Sequence, residues 1–298
     1  MNKIISKRYL FAVSLIIMLS GCKSHVLEKR GERQDHYPTL QNTQTLLFIH
    51  GMYLTSESWE AWQAYFEAEG FTTVAPDWPL HELSVTELNA LHPDPILGEL
   101  QLSDVVDHYR EALAQLEEKP IAIGHSMGGL IAQILLEENL IAGAIALNSA
   151  PPFGVISVEP QFLKANWPML NPIHSASTPI QMGFEHFQYA FANGMELEAQ
   201  QAAYDQFMVP ESRRVGRATT TSAAKINTDV SRGPLLIISG GIDRTITPSL
   251  NYTNFQIYGN SPAITDYKQF PNRNHWTTND TGWQTVAAYS LDWIEQNR

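Results

Sequence analysis

The sequence predicts an open, doubly wound and mostly parallel α/β sheet that carries a helical cap insertion. Three observations lead there. Short apolar runs rich in Ile, Val and Leu recur along the chain, each followed by turn residues, and runs without alternation belong to strands covered on both faces. Segments with apolar residues at helical spacing lie between those runs, and strands alternating with helices build parallel sheets. One interval between runs is far longer than the dozen or so residues a parallel crossover needs, so it must hold additional structure.

The chain of 298 residues, 44% hydrophobic and 17% charged, suits one large globular domain or a domain with an insertion. Its net charge is −12. Nucleic acid is thereby disfavoured as a partner, because binding phosphates needs the opposite sign.

Residues 1–21 open with Lys3, Lys7 and Arg8 and continue with an apolar run of about a dozen residues from Tyr9 to Leu19. A membrane-spanning helix needs about 20 residues, so the segment reads as an export signal. Its removal takes the net charge to −15, since those three residues are its only charges. Leu19-Ser20-Gly21-Cys22 resembles the bacterial lipobox, in which the cysteine becomes the acylated first residue. Cys22 is the only cysteine in the chain, so no internal disulfide competes for it. The resemblance implies a palmitate-type lipid anchor in the cell envelope, and Lys23 at the next position implies the outer membrane in a Gram-negative cell. Residues 22–44 are polar and aperiodic and are expected to be a lipidated tether.

The folded body is expected from 45 to 298. Strands are predicted at Thr45 to His50, Thr72 to Ala75, Ile121 to Gly124, Gly143 to Asn148, Leu235 to Ser239 and Tyr267 to Phe270. WEAWQAYFEAE, VVDHYREALAQLEE, GLIAQILLEEN and the closing WQTVAAYSLDWIEQ carry helical periodicity. About 85 residues separate Asn148 from Leu235, too many for an unstructured loop. The stretch from about 151 to 233 therefore reads as an inserted cap, rich in aromatic residues, with helices expected near Ile180 to Ala192 and Glu196 to Phe207.

The run Ile121 to Leu136 interrupts apolar sequence with Gly124-His125-Ser126-Met127-Gly128-Gly129. Glycines cost roughly 0.5–1 kcal/mol each inside regular structure, so a chain building only a core would not place them there. A strand entering a helix through Gly-x-Ser-x-Gly is a nucleophile elbow, a tight turn that presents the serine oxygen at the C-terminal edge of the sheet. The Met127 and Gly128 amides open the following helix and have no partner within it, which favours negative charge beside Ser126.

On these residues the chain resembles the α/β-hydrolase fold superfamily, from Thr45 to Arg298. That family orders its residues as serine, acid, histidine. Of ten histidines only His174, His186 and His275 follow Ser126. The first two fall in the cap, which leaves His275, after the last strand. The stretch GGIDRTITP, Gly240 to Pro248, resembles the family's acid-bearing loop and nominates Asp243, with Asp266 and Asp229 as weaker rivals. Asp77, after the second strand, reads as a structural turn. His50-Gly51-Met52 matches the family's His-Gly-x, which implies the Met52 backbone N–H as oxyanion donor alongside that of Met127.

The reading is a serine hydrolase, of the carboxylic ester hydrolase kind, cleaving a small ester-like substrate with an apolar acyl or lipid-like group. The alternatives are an acyltransferase with the same three residues and a catalytically idle binding module. No cofactor or metal is required: HExxH is absent and a single cysteine cannot build a Cys-rich zinc cluster.

Overall fold

The computed structural model describes residues 39–40 and 43–298. The export signal at 1–21, Cys22 and the tether up to residue 38 lie outside the described residues.

All six expected strands form, as β1 (Thr45–Ile49), β2 (Thr72–Val74), β3 (Ile121–His125), β4 (Gly143–Leu147), β5 (Leu235–Gly240) and β6 (Thr265–Phe270). They pair in parallel in the order β2-β1-β3-β4-β5-β6. The chain starts in the interior at β1, runs outward to β2, then returns to β3 on the other side. The C-terminal ends of β1 and β3 therefore flank a topological switch point, where open parallel sheets form a crevice.

Successive strand residues point to opposite faces, and each face has its own core. Leu46, Phe48, Ile121, Ile123, Ile145, Leu147, Leu236 and Ile238 point to one side. There they meet Trp59, helix α1 (Glu60–Ala68) through Trp62 and Phe66, and the C-terminal helix α10 (Gln284–Gln296) through Val286, Ala287, Trp293 and Ile294. The opposite face carries Leu47, Ile49, Ala122, Ala144, Ala146, Leu235 and Ile237. It is covered by α3 (Leu102–Leu113) and α4 (Met127–Glu137). Alanines on β3 and β4 leave room for α4, which is buried from Met127 to Leu136. A helix enclosed on all sides has no polar face to keep, which explains the unbroken apolar run after the elbow glycines.

A short helix that periodicity does not announce, α2 (Val85–Leu91), is fixed at its start by a capping box. Ser84 Oγ accepts from the Glu87 amide, and the Glu87 carboxylate accepts from the Ser84 amide.

Between β4 and β5 the chain forms α5 (Pro160–Leu170), α6 (Phe184–Ala190), α7 (Leu197–Phe207) and α8 (Arg213–Arg217). The two helices expected near Ile180 to Ala192 and Glu196 to Phe207 correspond to α6 and α7. No helix is expected from the sequence at α5, which carries Pro168 near its end, a residue without the N–H that a helix interior needs. The carbonyls left free at that end are taken up by arginines of α8: Arg213 bonds Pro168 O, and Arg217 donates to Met169 O at 2.9 Å and Asn171 O at 2.7 Å. α9 (Pro248–Gln256) then links β5 to β6.

The expectation of a free tether up to residue 44 needs correction at its end. Leu40 is fully buried, packs against Gly143 at the start of β4, and donates its backbone N–H to Asn297 O at 2.8 Å. The Gln44 and Thr45 amides donate to Glu118 Oε1 at 3.0 and 3.1 Å. A single apolar residue in polar sequence has no period, so only the tertiary contacts reveal that the folded body begins before Thr45. Replacing Leu40 by Ala should lower unfolding free energy by about 2–5 kcal/mol, read from the urea midpoint. An unchanged midpoint would remove Leu40 from the core.

Candidate active site

The site begins with a strained backbone. Ser126, between β3 and α4, has φ 54° and ψ −117°, a conformation that costs a non-glycine residue about 1–3 kcal/mol. Its neighbours hold it there. The Ser126 amide donates to Leu147 O at 2.9 Å, and its carbonyl accepts from Gly129 at 3.0 Å and Ala150 at 2.8 Å. Gly128 is demanded by close packing, since an added Cβ would lie 2.1 Å from Ile49 O.

The loop after β6 brings His275 to this serine, and the loop after β5 brings Asp243 to the histidine. His275 Nε2 lies 3.0 Å from Ser126 Oγ, and His275 Nδ1 lies 2.7 Å from Asp243 Oδ2. A carboxylate only accepts, so Nδ1 carries the proton and Nε2 presents its lone pair to the serine hydroxyl. The second carboxylate oxygen accepts from the Thr245 and Ile246 amides at 2.8 and 2.9 Å, which fixes the rotation of Asp243. His275 and Asp243 are 0% and 1% exposed, against 8% for Ser126. Of the three, only the serine lines the adjoining cavity.

The rivals sit elsewhere. Asp266 is the second residue of β6, at the opposite edge of the sheet, and accepts from Trp293 Nε1 at 2.8 Å. Asp229 is exposed. Asp77 accepts from the Ser56 amide at 2.6 Å, a bond across 21 residues that ties the segment after β2 to the turn after β1.

Two residues that sequence reasoning did not single out hold the histidine loop. Asn148, at φ 44° just past β4, donates to Asn274 O at 2.9 Å and Thr277 Oγ1 at 3.0 Å, and its oxygen accepts from the Gly240 amide at 2.6 Å. One buried amide thus ties the end of β4 to the loops bearing Asp243 and His275. His125 donates from Nε2 to the His275 carbonyl at 2.8 Å. On the far side the Phe191 ring stands edge-on to the imidazole, centroids 4.6 Å apart, and Phe191 O accepts from the Trp276 amide at 3.1 Å. The only local hint was an Asn after a strand, a pattern shared by many turns.

A cavity of about 240 Å³ opens in front of Ser126. Met52 and Met127 line it beside the serine, and Phe162, Met169, Met182 and Phe191 supply much of the remaining wall. Among the described residues that line it there is no Asp, Glu, Lys or Arg. Met127 is the first residue of α4, where the amide has no intrahelical acceptor.

His50 and His125 are each held down at about 3, in both cases chiefly by burial, with His81 adding repulsion at the first and His275 at the second. The unfolded chain takes up protons near 6.5, so these two groups contribute stability that is complete above about pH 6.5 and is lost as pH falls toward 3. The urea midpoint should therefore drop between pH 7 and pH 4.5. His125→Gln, which retains a donor for His275 O, should shrink that drop; an undiminished drop would contradict the assignment.

Residues 46–288 match the alpha/beta hydrolase family. No curated protein matches the chain. Among solved structures, polyneuridine aldehyde esterase is similar at 17% identity and a TM-score of 0.62, covering 84% of this chain and 99% of its own. The monoacylglycerol lipase of Paleococcus ferrophilus has the same identity and TM-score and covers 88% of this chain and 97% of its own. A pyrethroid hydrolase from Sphingobium faniae JZ-2 is 20% identical with a TM-score of 0.59, over 85% and 98%. At such identities the likeness carries the fold. The family match, spanning most of the chain, together with the parallel sheet and the serine elbow at its switch point, makes this protein a member of the α/β-hydrolase family.

Proposed function

We propose that this protein is a serine hydrolase that cleaves neutral, mainly apolar carboxylic esters. The observation that carries the reading is the unbroken contact from Asp243 through His275 to Ser126 Oγ, at 2.7 and 3.0 Å, ending at an uncharged cavity.

In the proposed reaction the Ser126 oxygen attacks the ester carbonyl while His275 Nε2 takes the hydroxyl proton. Asp243 keeps the imidazole in the required tautomer and stabilises the imidazolium. The carbonyl oxygen becomes an oxyanion, received by the Met127 and Met52 amides; each such donor is worth roughly 2.7–4 kcal/mol in acyl transfer. His275 returns the proton to the departing alcohol, leaving an acyl-serine. A water molecule, deprotonated by the same nitrogen, then attacks that ester, and the acid leaves as the serine is regenerated.

The cavity supports an apolar acyl or alcohol group. A charged substrate group would lose hydration there without gaining a countercharge, whereas methionines adapt to varied apolar shapes. Export and acylation at Cys22 belong to the same proposal and rest on the lipobox resemblance; each methylene of an acyl chain buried in the membrane adds about 0.8 kcal/mol.

Two experiments test the reading. Ser126→Ala should abolish p-nitrophenyl ester turnover and fluorophosphonate labelling with a melting temperature close to wild type; retained turnover would mean another nucleophile. Cys22→Ala should release the protein from membranes, and continued retention would contradict the anchor.

A further inference from the structure

Glu211 lies in the β4–β5 segment between α7 and α8, and it is 0% exposed. A buried carboxylate is costly unless its oxygens are occupied. Here Oε1 accepts from the Ser212 amide at 2.6 Å and Oε2 from the Tyr53 amide at 3.3 Å. His81 Nε2 stands 3.4 Å from the same Oε2. Burial is the largest influence on His81 and opposes charge there, but Glu211, the Pro79 carbonyl and Asp77 together outweigh it and the net displacement of that imidazole is upward.

Tyr53 directly follows Met52 and has φ 67°, a left-handed conformation unusual for tyrosine. Both of its peptide groups are held by the β4–β5 segment, because Tyr53 O accepts from the Val209 amide at 3.0 Å. On the other side of Met52, His50 Nδ1 donates to Gly51 O at 2.9 Å while its Nε2 accepts from the Trp78 amide at 3.1 Å. The loop also presses on the elbow: a Cβ added to Gly51 would lie 2.9 Å from Ser126 Cβ. Met52 thus sits between two anchors beside Ser126. One belongs to the sheet domain and the other to the inserted segment.

We propose that Glu211 is a positioning residue for the Met52 amide. It holds Tyr53 in the left-handed turn and so keeps the preceding N–H aimed at the oxygen that develops charge at Ser126. The inserted segment, on this account, completes the oxyanion site as well as walling the cavity. The inference rests on the reading of Met52 as an oxyanion donor.

The test uses full-length Glu211→Gln and Glu211→Ala. Gln keeps one accepting oxygen and Ala keeps none, so the loss should be graded. The measurements are kcat and KM on p-nitrophenyl butyrate, and inhibition by butylboronic acid, which forms a tetrahedral anion at the serine, and by 1-butanol, which does not. Loss of one oxyanion donor costs about 10²–10³ in kcat; partial misplacement should lower kcat about tenfold for Gln and up to about a hundredfold for Ala. Boronate affinity should weaken in step, while KM and butanol inhibition stay within about twofold.

A folded Gln variant with wild-type kcat and boronate affinity would overturn the proposal. So would equal weakening of boronate and butanol, which would mean that the cavity itself had deformed. If the wild-type protein neither turns over the ester nor labels with a fluorophosphonate at Ser126, the functional reading fails and this inference with it. If the wild type does both and only the Glu211 variants behave as wild type, this inference fails alone.

Discussion

The site depends on the backbone of one residue, Ser126, being held in a conformation that serine avoids. Its φ of 54° persists because β3 and β4 are in register on one side and α4 must start at once on the other. The Leu147 carbonyl fixes the Ser126 amide, and the Ala150 amide fixes its carbonyl. Relaxing the turn would break both bonds, and the close approach of α4 to β1 leaves no room at Gly128 even for a Cβ beside the Ile49 carbonyl. The strain is thus maintained by the sheet core, and the hydroxyl stands clear of it.

A parallel sheet then solves the problem of bringing distant residues together. Every strand delivers its following loop to the same edge, so residues 126, 243 and 275 meet although long stretches of chain separate them. Asn148 makes that meeting definite. Its two-ended amide bonds both the last residue of β5 and the loop after β6, so the segments leading to the acid and the histidine share one reference point at the end of β4. His125 does the same from β3 through the His275 carbonyl. Buried polar groups so arranged are costly to disturb, because each broken contact leaves an unsatisfied partner out of reach of water.

Much of this was legible in the sequence, and the reason is local. β3, β4 and β5 are buried on both faces, so they read as unbroken apolar runs. The elbow announces itself through glycines that a chain building only a core would not place there; the chain order of the family it resembles points to His275, and the likeness of GGIDRTITP to that family's acid-bearing loop nominates Asp243. What stayed hidden lacks a local pattern. Leu40 is one apolar residue whose burial exists only because Gly143 and Asn297 meet it. α5 ends on Pro168 and depends on Arg213 and Arg217 to satisfy its carbonyls. Asn148 and Glu211 matter through bonds to residues more than a hundred positions away. The Ser84–Glu87 capping box could have been read as S-x-x-E, but a seven-residue helix shows too little periodicity to support it.

The central claim is that Ser126, His275 and Asp243 act as one unit, and kinetic non-additivity tests it most directly. Ester turnover would be compared for His275→Ala, for Ser126→Ala and for the double variant. Residues acting as a unit lose nearly all of their contribution with the first substitution, so the double variant should be no slower than either single one. Losses that multiply in the double variant would show that the two side chains contribute independently, and the account would be wrong.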